Sequence, residues 1–293
     1  VRDTTQAQLL KAGLDPDEVQ RIVANALRED LGPDRLDVTS VATIPEHQVD
    51  TADLIAREAG VLAGLAVAEL VFELAGPGAE VTVHAADGDT VARGDVLATI
   101  TGPTRTLLSA ERTALNLLCR MSGVATHTRR WVEQLAGTKA LVLDTRKTTP
   151  GLRPLEKYAV RAAGGTNKRM GLYDVAMIKD NHKLAAGSVT AAYDLVRANF
   201  PDVPVQVEVT TLAEAQEAVA AGATFLLCDN MSPQLLREVV AAVGDRAELE
   251  ATGGLTLQVA AEYAATGVDY LSVGALTHSS PIVDIALDLR ARK

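Results

Sequence analysis

From Lys139 onward, short apolar runs rich in β-branched residues alternate with Ala-rich helical stretches, and this rhythm limits the fold more than any other feature of the chain. The runs are 140–143, 175–178, 203–209, 224–227, 247–251 and 270–273. The later helical stretches are punctuated. Thr211 and Glu214 have capping-box spacing and Gly222 closes that helix. Ser232 followed by Pro233 opens the next, which Gly244 ends, and Thr256 and Gly267 bracket another. Repeated βα units imply parallel strands joined by right-handed crossovers. Six strands could form an open doubly wound sheet or most of a barrel. No Gly-rich dinucleotide fingerprint opens the first unit, so the expectation is a (β/α) barrel that is incomplete or closed by fewer than eight strands.

The earlier part of the chain has a different texture. Residues 17–28 read as a helix with Val19, Ile22, Val23, Ala26 and Leu27 on one face. Residues 50–59 and 79–100 read as strands, with Val81 and Val83 alternating against Thr82 and His84 as in a half-buried strand. Residues 63–74 between them read as a helix, and 105–136 as one or two helices. The stretch Asp87 to Leu97 has the rhythm of a biotinyl or lipoyl carrier half. Such a carrier needs a modifiable lysine at a hairpin tip, and the only lysine before Lys139 is Lys11. The pattern therefore reads as turn chemistry. The domains expected are 1–118, 119–281, and a segment 282–293 that returns to the first.

Charge narrows the function. The 293-residue chain carries −10 overall, which argues against a general nucleic-acid binder. Between Arg105 and Lys183, however, 15 Lys/Arg face only 6 Asp/Glu. A basic middle in an acidic protein suits a small polyanion. Cys119 and Cys228 have no metal-ligand spacing and suggest no disulfide framework. The most apolar stretch, 61–76, is broken by Glu69 and Glu73 and is too short for a bilayer. No basic start precedes an apolar run, so the cytoplasm is expected.

The residues just beyond each apolar run are sorted by chemistry. Leu143 leads to Thr145, Arg146 and Lys147, and Ile178 leads to Lys179. Glu208 comes after Val207, and Asp229 after Cys228. The last two runs lead to Thr252-Gly253-Gly254 and to Gly274 with His278 close behind. In a parallel α/β sheet or barrel these points meet at the carboxyl ends of the strands, where ligands bind. Arg146, Lys147, Arg169 and Lys179 can pair with carboxylates or phosphates. Glu208 and Asp229 offer two hard oxygen ligands suited to Mg²⁺, or could stabilise positive charge growing on a sugar carbon. Gly253, Gly254 and Gly274 let backbone N–H groups approach a phosphate.

Longer blocks carry a resemblance. Glu111-Arg112-Thr113-Ala114-Leu115-Asn116, the run from Asp144 through Arg153 (DTRKTTPGLR), Asn167-Lys168-Arg169, Lys179-Asp180-Asn181-His182 (KDNH) and Gly274-Ala275-Leu276-Thr277-His278-Ser279 together resemble quinolinate phosphoribosyltransferases over nearly the whole chain. The resemblance implies an α/β protein with an N-terminal open-faced α/β sandwich and a C-terminal incomplete barrel. It implies quinolinate and phosphoribosyl pyrophosphate as substrates, with Mg²⁺, and nicotinate mononucleotide, CO₂ and pyrophosphate as products in NAD biosynthesis. It also implies a homodimer in which Arg112 enters the neighbouring site. By the same carry-over Arg146, Lys147, Arg169 and Lys179 face quinolinate, with Thr145, Lys168 and His278 in the site. Lys147, Glu208 and Asp229 are the catalytic candidates, the latter two facing ribose and metal. Thr252, Gly253, Gly254, Gly274, Ala275 and Leu276 hold phosphate. One departure stands out: many relatives have histidine where this chain has Lys168, so a proton-transfer role for that side chain does not carry over.

The alternatives are a nicotinate-type or molybdate-cluster phosphoribosyltransferase of the same fold, and a Schiff-base aldolase with Lys179 as nucleophile. A cluster of cations suited to two carboxylates favours quinolinate.

Overall fold

The computed structural model describes residues 1–291. Along the chain, α1 (Asp3–Lys11), α2 (Pro16–Leu31) and α3 (Val38–Thr43) precede β1 (Val49–Ala56), β2 (Gly60–Val61), α4 (Leu65–Ala75), β3 (Glu80–Val83), β4 (Thr90–Val91) and β5 (Val96–Pro103). Then come α5 (Thr104–Gln134), β6 (Leu141–Leu143), α6 (Arg153–Ala162), β7 (Ala176–Ile178), α7 (Asp180–Ala186), α8 (Val189–Asn199) and β8 (Val205–Val209). The chain ends with α9 (Leu212–Ala220), β9 (Phe225–Asp229), α10 (Pro233–Val243), β10 (Glu248–Thr252), α11 (Leu257–Ala264), β11 (Tyr270–Ser272), α12 (Ala275–His278) and β12 (Ile285–Leu289). Two compact units result. The first holds Val1–Arg129, Thr148–Gly164 and the chain from Ser279; the second holds Arg130–Lys147 and Gly165–His278. Helix α5 is one continuous helix of 31 residues, and the division between the two units falls within it, at Arg129 and Arg130.

In the first unit an antiparallel sheet runs in the order β12-β1-β5-β3. Its two faces differ as the alternation of β1 dictates. Ala52 and Leu54 are buried and pair with the buried Ile100 and Ala98 of β5. The opposite face is a polar ladder: Thr51 and Thr101 hydroxyls lie 3.0 Å apart, and Asp53 accepts from Thr99 and from Arg290. One covered face and one polar face make this an open-faced α/β layer. At the edge, β3 is less buried than its alternation suggests, with Val83 46 % exposed, because no strand lies beyond it to cover that side. Helix α2 forms where expected; Asp15 caps it by accepting from Asp17 N–H at 2.9 Å, and Val19, Val23 and Leu27 are its buried stripe. Gly123 does not split α5. A Cβ there would fall 2.0 Å from the Pro281 carbonyl oxygen, so the glycine serves close approach of a second chain segment.

The second unit is a six-stranded parallel sheet in the order β6-β11-β10-β9-β8-β7. All six runs read from the sequence form its strands. The two strands at the ends of this order, β6 and β7, are consecutive in the chain, and an isolated parallel bridge between Leu143 and Thr166 extends the β6 edge. Several of the helix signals work as their chemistry requires, whereas Thr256 makes no side-chain cap bond and Gly244 ends α10 in the right-handed region. Thr211 accepts from Glu214 N–H at 3.2 Å, Ser232 from Leu235 N–H at 3.2 Å, and Gly222 and Gly267 adopt positive φ just after their helices. Register aligns Glu208 of β8 with Leu227 of β9 and Glu250 of β10, and sets Asp229 beside Thr252 two residues toward the carboxyl ends.

Candidate active site

A cavity of about 670 Å³ opens at the carboxyl ends of the six strands, within the second unit alone. That size suits a small-molecule site. Thr145, Arg146 and Lys147 enter from the end of β6, Lys168 and Arg169 from the connection to β7, and Lys179 from the end of β7. Glu208 and Asp229 enter from β8 and β9, Thr252, Gly253 and Gly254 from β10, and Gly274, Ala275 and His278 from the turn after β11. The sorted order seen along the chain is thus a spatial order around one rim. Two candidates do not line this cavity. Leu276 is fully buried on α12, and Arg112 is exposed on α5 in the first unit. Sequence reasoning missed Ser272, Met177 and Leu227 in the lining, and Glu250 beneath it.

The turn that carries Lys168 and Arg169 is held at several points. Asp144, fully buried at the end of β6, accepts from Asn167 Nδ2 and from Lys168 N–H, both at 2.7 Å. Lys168 Nζ donates to Glu250 Oε1 at 2.5 Å, a pair whose side chains are 8 % and 0 % exposed. Arg169 donates to the Val175 carbonyl at 2.9 Å. Burial pushes the Lys168 ammonium below the ordinary lysine range; Glu250 counters this, while Lys179 and Arg169 add to it. Burial, then the like charge of Arg146, also lowers Arg169.

On the acidic side, Glu208 Oε2 stands 3.4 Å from Lys179 Nζ, and Asp229 accepts from Asn230 Nδ2 at 2.9 Å. No group of three His, Cys, Asp or Glu that could hold a metal exists among the described residues. Glu208 and Asp229 bring two carboxylates to the cavity, and a Mg²⁺ ion bound with phosphate oxygens and waters takes one or two protein carboxylates. The glycine rim is closely approached at two points, Gly253 and Gly274. Gly253 has φ +97°, and a Cβ there would lie 2.3 Å from Asn230 Oδ1. A Cβ on Gly274 would approach Lys147 Cδ to 3.0 Å and His278 Nε2 to 3.3 Å.

Not every cation of the basic middle faces the cavity. Lys183 is spent on the Glu208 carbonyl, Glu214 and Asp180, and Arg129 on the Ala163 and Gly88 carbonyls. His182 accepts from Lys179 N–H at 2.9 Å and so caps α7. Both cysteines are free and buried; burial and the Glu250 charge push the Cys228 thiol up to about 12.

An incomplete parallel barrel whose strand ends bring cations, two acids and a glycine rim to one cavity defines an α/β-barrel enzyme acting on small polyanions. The chain matches the family described as quinolinate phosphoribosyl transferase, N-terminal domain, over residues 37–122 and C-terminal domain over 124–288. It is 48 % identical to a carboxylating nicotinate-nucleotide pyrophosphorylase of Mycobacterium leprae, covering 93 % of this chain and 98 % of that protein. It is 41 % identical to a probable one of Bacillus subtilis, covering 93 % of each. The crystal structure of NadC from Streptococcus pyogenes superposes with a TM-score of 0.91 at 39 % identity, covering 96 % of this chain and 99 % of that one. The chain belongs to the quinolinate phosphoribosyltransferase family. No helix among the described residues is long and apolar enough to cross a membrane.

Proposed function

We propose that this enzyme joins quinolinate to phosphoribosyl pyrophosphate, releasing CO₂ and pyrophosphate and leaving nicotinate mononucleotide. The observation that carries the reading is the charge pattern of the cavity. Five cations, Arg146, Lys147, Lys168, Arg169 and Lys179, face the two carboxylates of the lining and Glu250 below it. That surplus suits a ring bearing two carboxylates better than a monocarboxylate such as nicotinate.

Each group then has a task. The cations hold and orient the ring so that its nitrogen faces the anomeric carbon. The nitrogen lone pair forms the new bond to that carbon as the bond to pyrophosphate breaks and pyrophosphate departs with the pair. Glu208 and Asp229 face the positive charge that develops on the ribose. Quaternised nitrogen makes the ring an electron sink. The bond to the adjacent carboxylate can then break, releasing CO₂, and the pair left on the ring carbon takes up a proton. Alignment and electrostatics do this work, with no protein nucleophile. Glu208 and Asp229 would hold Mg²⁺ brought by the phosphoribosyl substrate, which would supply charge neutralisation for the departing pyrophosphate. Backbone N–H groups of Gly253, Gly254, Gly274, Ala275 and Leu276, with Thr252 and His278, would receive the phosphate.

Incubation with quinolinate, phosphoribosyl pyrophosphate and Mg²⁺ is expected to give CO₂ and nicotinate mononucleotide in equal amounts. Turnover of nicotinate without CO₂ would instead favour a nicotinate-type enzyme.

The assembly in this reading is a homodimer in which the exposed Arg112 of one subunit supplies a cation to the other's cavity. Arg112→Ala and Lys147→Ala are each expected to lose about 10- to 150-fold in kcat/KM for quinolinate. Mixed and allowed to exchange subunits, they should regain activity, because each hybrid dimer holds one cavity with both residues intact. No recovery in a mixture shown to exchange would refute the shared site.

A further inference from the structure

We infer that Glu250 is a positioning residue for this reaction, which fixes the Lys168 ammonium at the cavity floor and, through it, the aim of the neighbouring Arg169 guanidinium. The inference rests on the reading of the cavity as the quinolinate site.

Glu250 is fully buried in β10 and does not line the cavity, so it touches no substrate. Its Oε1 accepts from Lys168 Nζ, while its Oε2 is buried with no hydrogen-bond partner. A carboxylate placed so deep is costly unless paired, so this arrangement ties its charge to one ammonium. Lys168 reaches it from the turn between β6 and β7, across to β10. That turn is otherwise held by Asp144 at its backbone and by the Val175 carbonyl at Arg169. The ion pair is thus a side-chain tie that crosses from this turn to β10, and Arg169 is the next residue along. Around Lys168 stand Glu250 from β10, Lys179 from the end of β7 and Arg169 beside it, with Asp144 of the β6 end on its backbone N–H. Around Glu250, the charge also reaches Cys228 of β9 and Tyr270 of β11. With Glu250 neutral, burial and two like charges would oppose the Lys168 proton without the negative charge that offsets them.

The test is the pH profile of kcat/KM for quinolinate in the full-length enzyme, at saturating phosphoribosyl pyrophosphate. In Glu250→Gln the alkaline limb is expected to move at least one pH unit lower than in the wild type, and KM for quinolinate to rise at least tenfold. In Lys168→Met, adding Glu250→Gln should change neither, since Glu250 acts through Lys168. A Glu250→Gln profile parallel to the wild type at reduced height, or a further loss in the Lys168→Met background, would overturn the inference. Should Glu250→Gln fail to fold, Glu250→Asp decides. It keeps the charge and shortens the reach, so the limb should stay while KM for quinolinate rises; kcat and KM unchanged per folded molecule would overturn the inference. A wild-type enzyme with no quinolinate turnover would sink the functional reading and this inference with it. An active wild type with an unshifted Glu250→Gln profile sinks the inference alone.

Discussion

Replacing Arg169 by alanine lowers kcat/KM for quinolinate by about 10- to 150-fold, and replacing Lys147 by alanine does the same, with the fold intact in both. The size comes from the contribution of about 1.5–3 kcal/mol made by a hydrogen bond to a charged group, at about 1.4 kcal/mol per tenfold. Arg169 is already aimed: one guanidinium nitrogen is committed to the Val175 carbonyl, and the side chain is half-buried between the turn and the cavity. Little entropy is then lost when the remaining N–H groups meet a carboxylate. Lysine at this position should rescue poorly, because a point charge lacks the planar fork. Lys147 differs in kind. It is exposed and packs its stem beside Gly274, whose missing Cβ would lie 3.0 Å from Lys147 Cδ. Neither side chain supports the core, so circular dichroism and thermal unfolding should match the wild type. Near-normal quinolinate kinetics in both variants would remove the basis for placing the substrate in this cavity.

The residues that would hold substrate were visible in the sequence because of where they fall, one step beyond an apolar run. Parallel strands buried on both faces read as continuous apolar stretches, so their carboxyl ends are marked by the first polar residue. That rule finds Lys179 directly and Asp229 just past Cys228; Glu208 lies inside the run 203–209, near its carboxyl end, and stood out only as the charge after Val207. It cannot find Glu250, which is a charge inside a run, and whose partner Lys168 lies 82 residues earlier in the chain. Nothing local distinguishes such a buried glutamate from a strand residue facing solvent. Ser272 was missed for the same reason. The helix boundaries of the barrel were legible because caps are local chemistry. The path of the chain was not: DTRKTTPGLR is one motif to the eye, yet Asp144 to Lys147 belong to the second unit and Thr148 to Arg153 to the first. Only long-range partners decide that division.

Those partners make Glu156→Ala the largest expected loss of stability. Glu156 is fully buried on α6. Its Oε1 accepts from Arg120 at 2.8 and 3.0 Å and from the Thr149 hydroxyl at 2.7 Å, and its Oε2 from Thr149 N–H at 2.9 Å. One carboxylate thus joins α5, α6 and the second half of the motif. Removing it takes the carboxylate from a guanidinium only 20 % exposed, which keeps its bond to the Ser280 carbonyl, and takes the acceptor from the Thr149 amide N–H; breaking a buried ion pair from one side costs about 3–5 kcal/mol. Arg57→Ala is the matched control. Its partner Asp288 lies at 2.6 Å, yet the two side chains are 40 % and 44 % exposed, and solvent reduces such a pair to about 0–1 kcal/mol. Urea unfolding should therefore show a clearly lowered midpoint for Glu156→Ala and almost no change for Arg57→Ala. Glu156→Gln should fall between them, because it keeps one carbonyl oxygen as an acceptor where the carboxylate offers two, and gives up the charge that Arg120 requires. Equal midpoints for the two alanine variants would mean that burial, the quantity separating these pairs, does not set their worth in this protein.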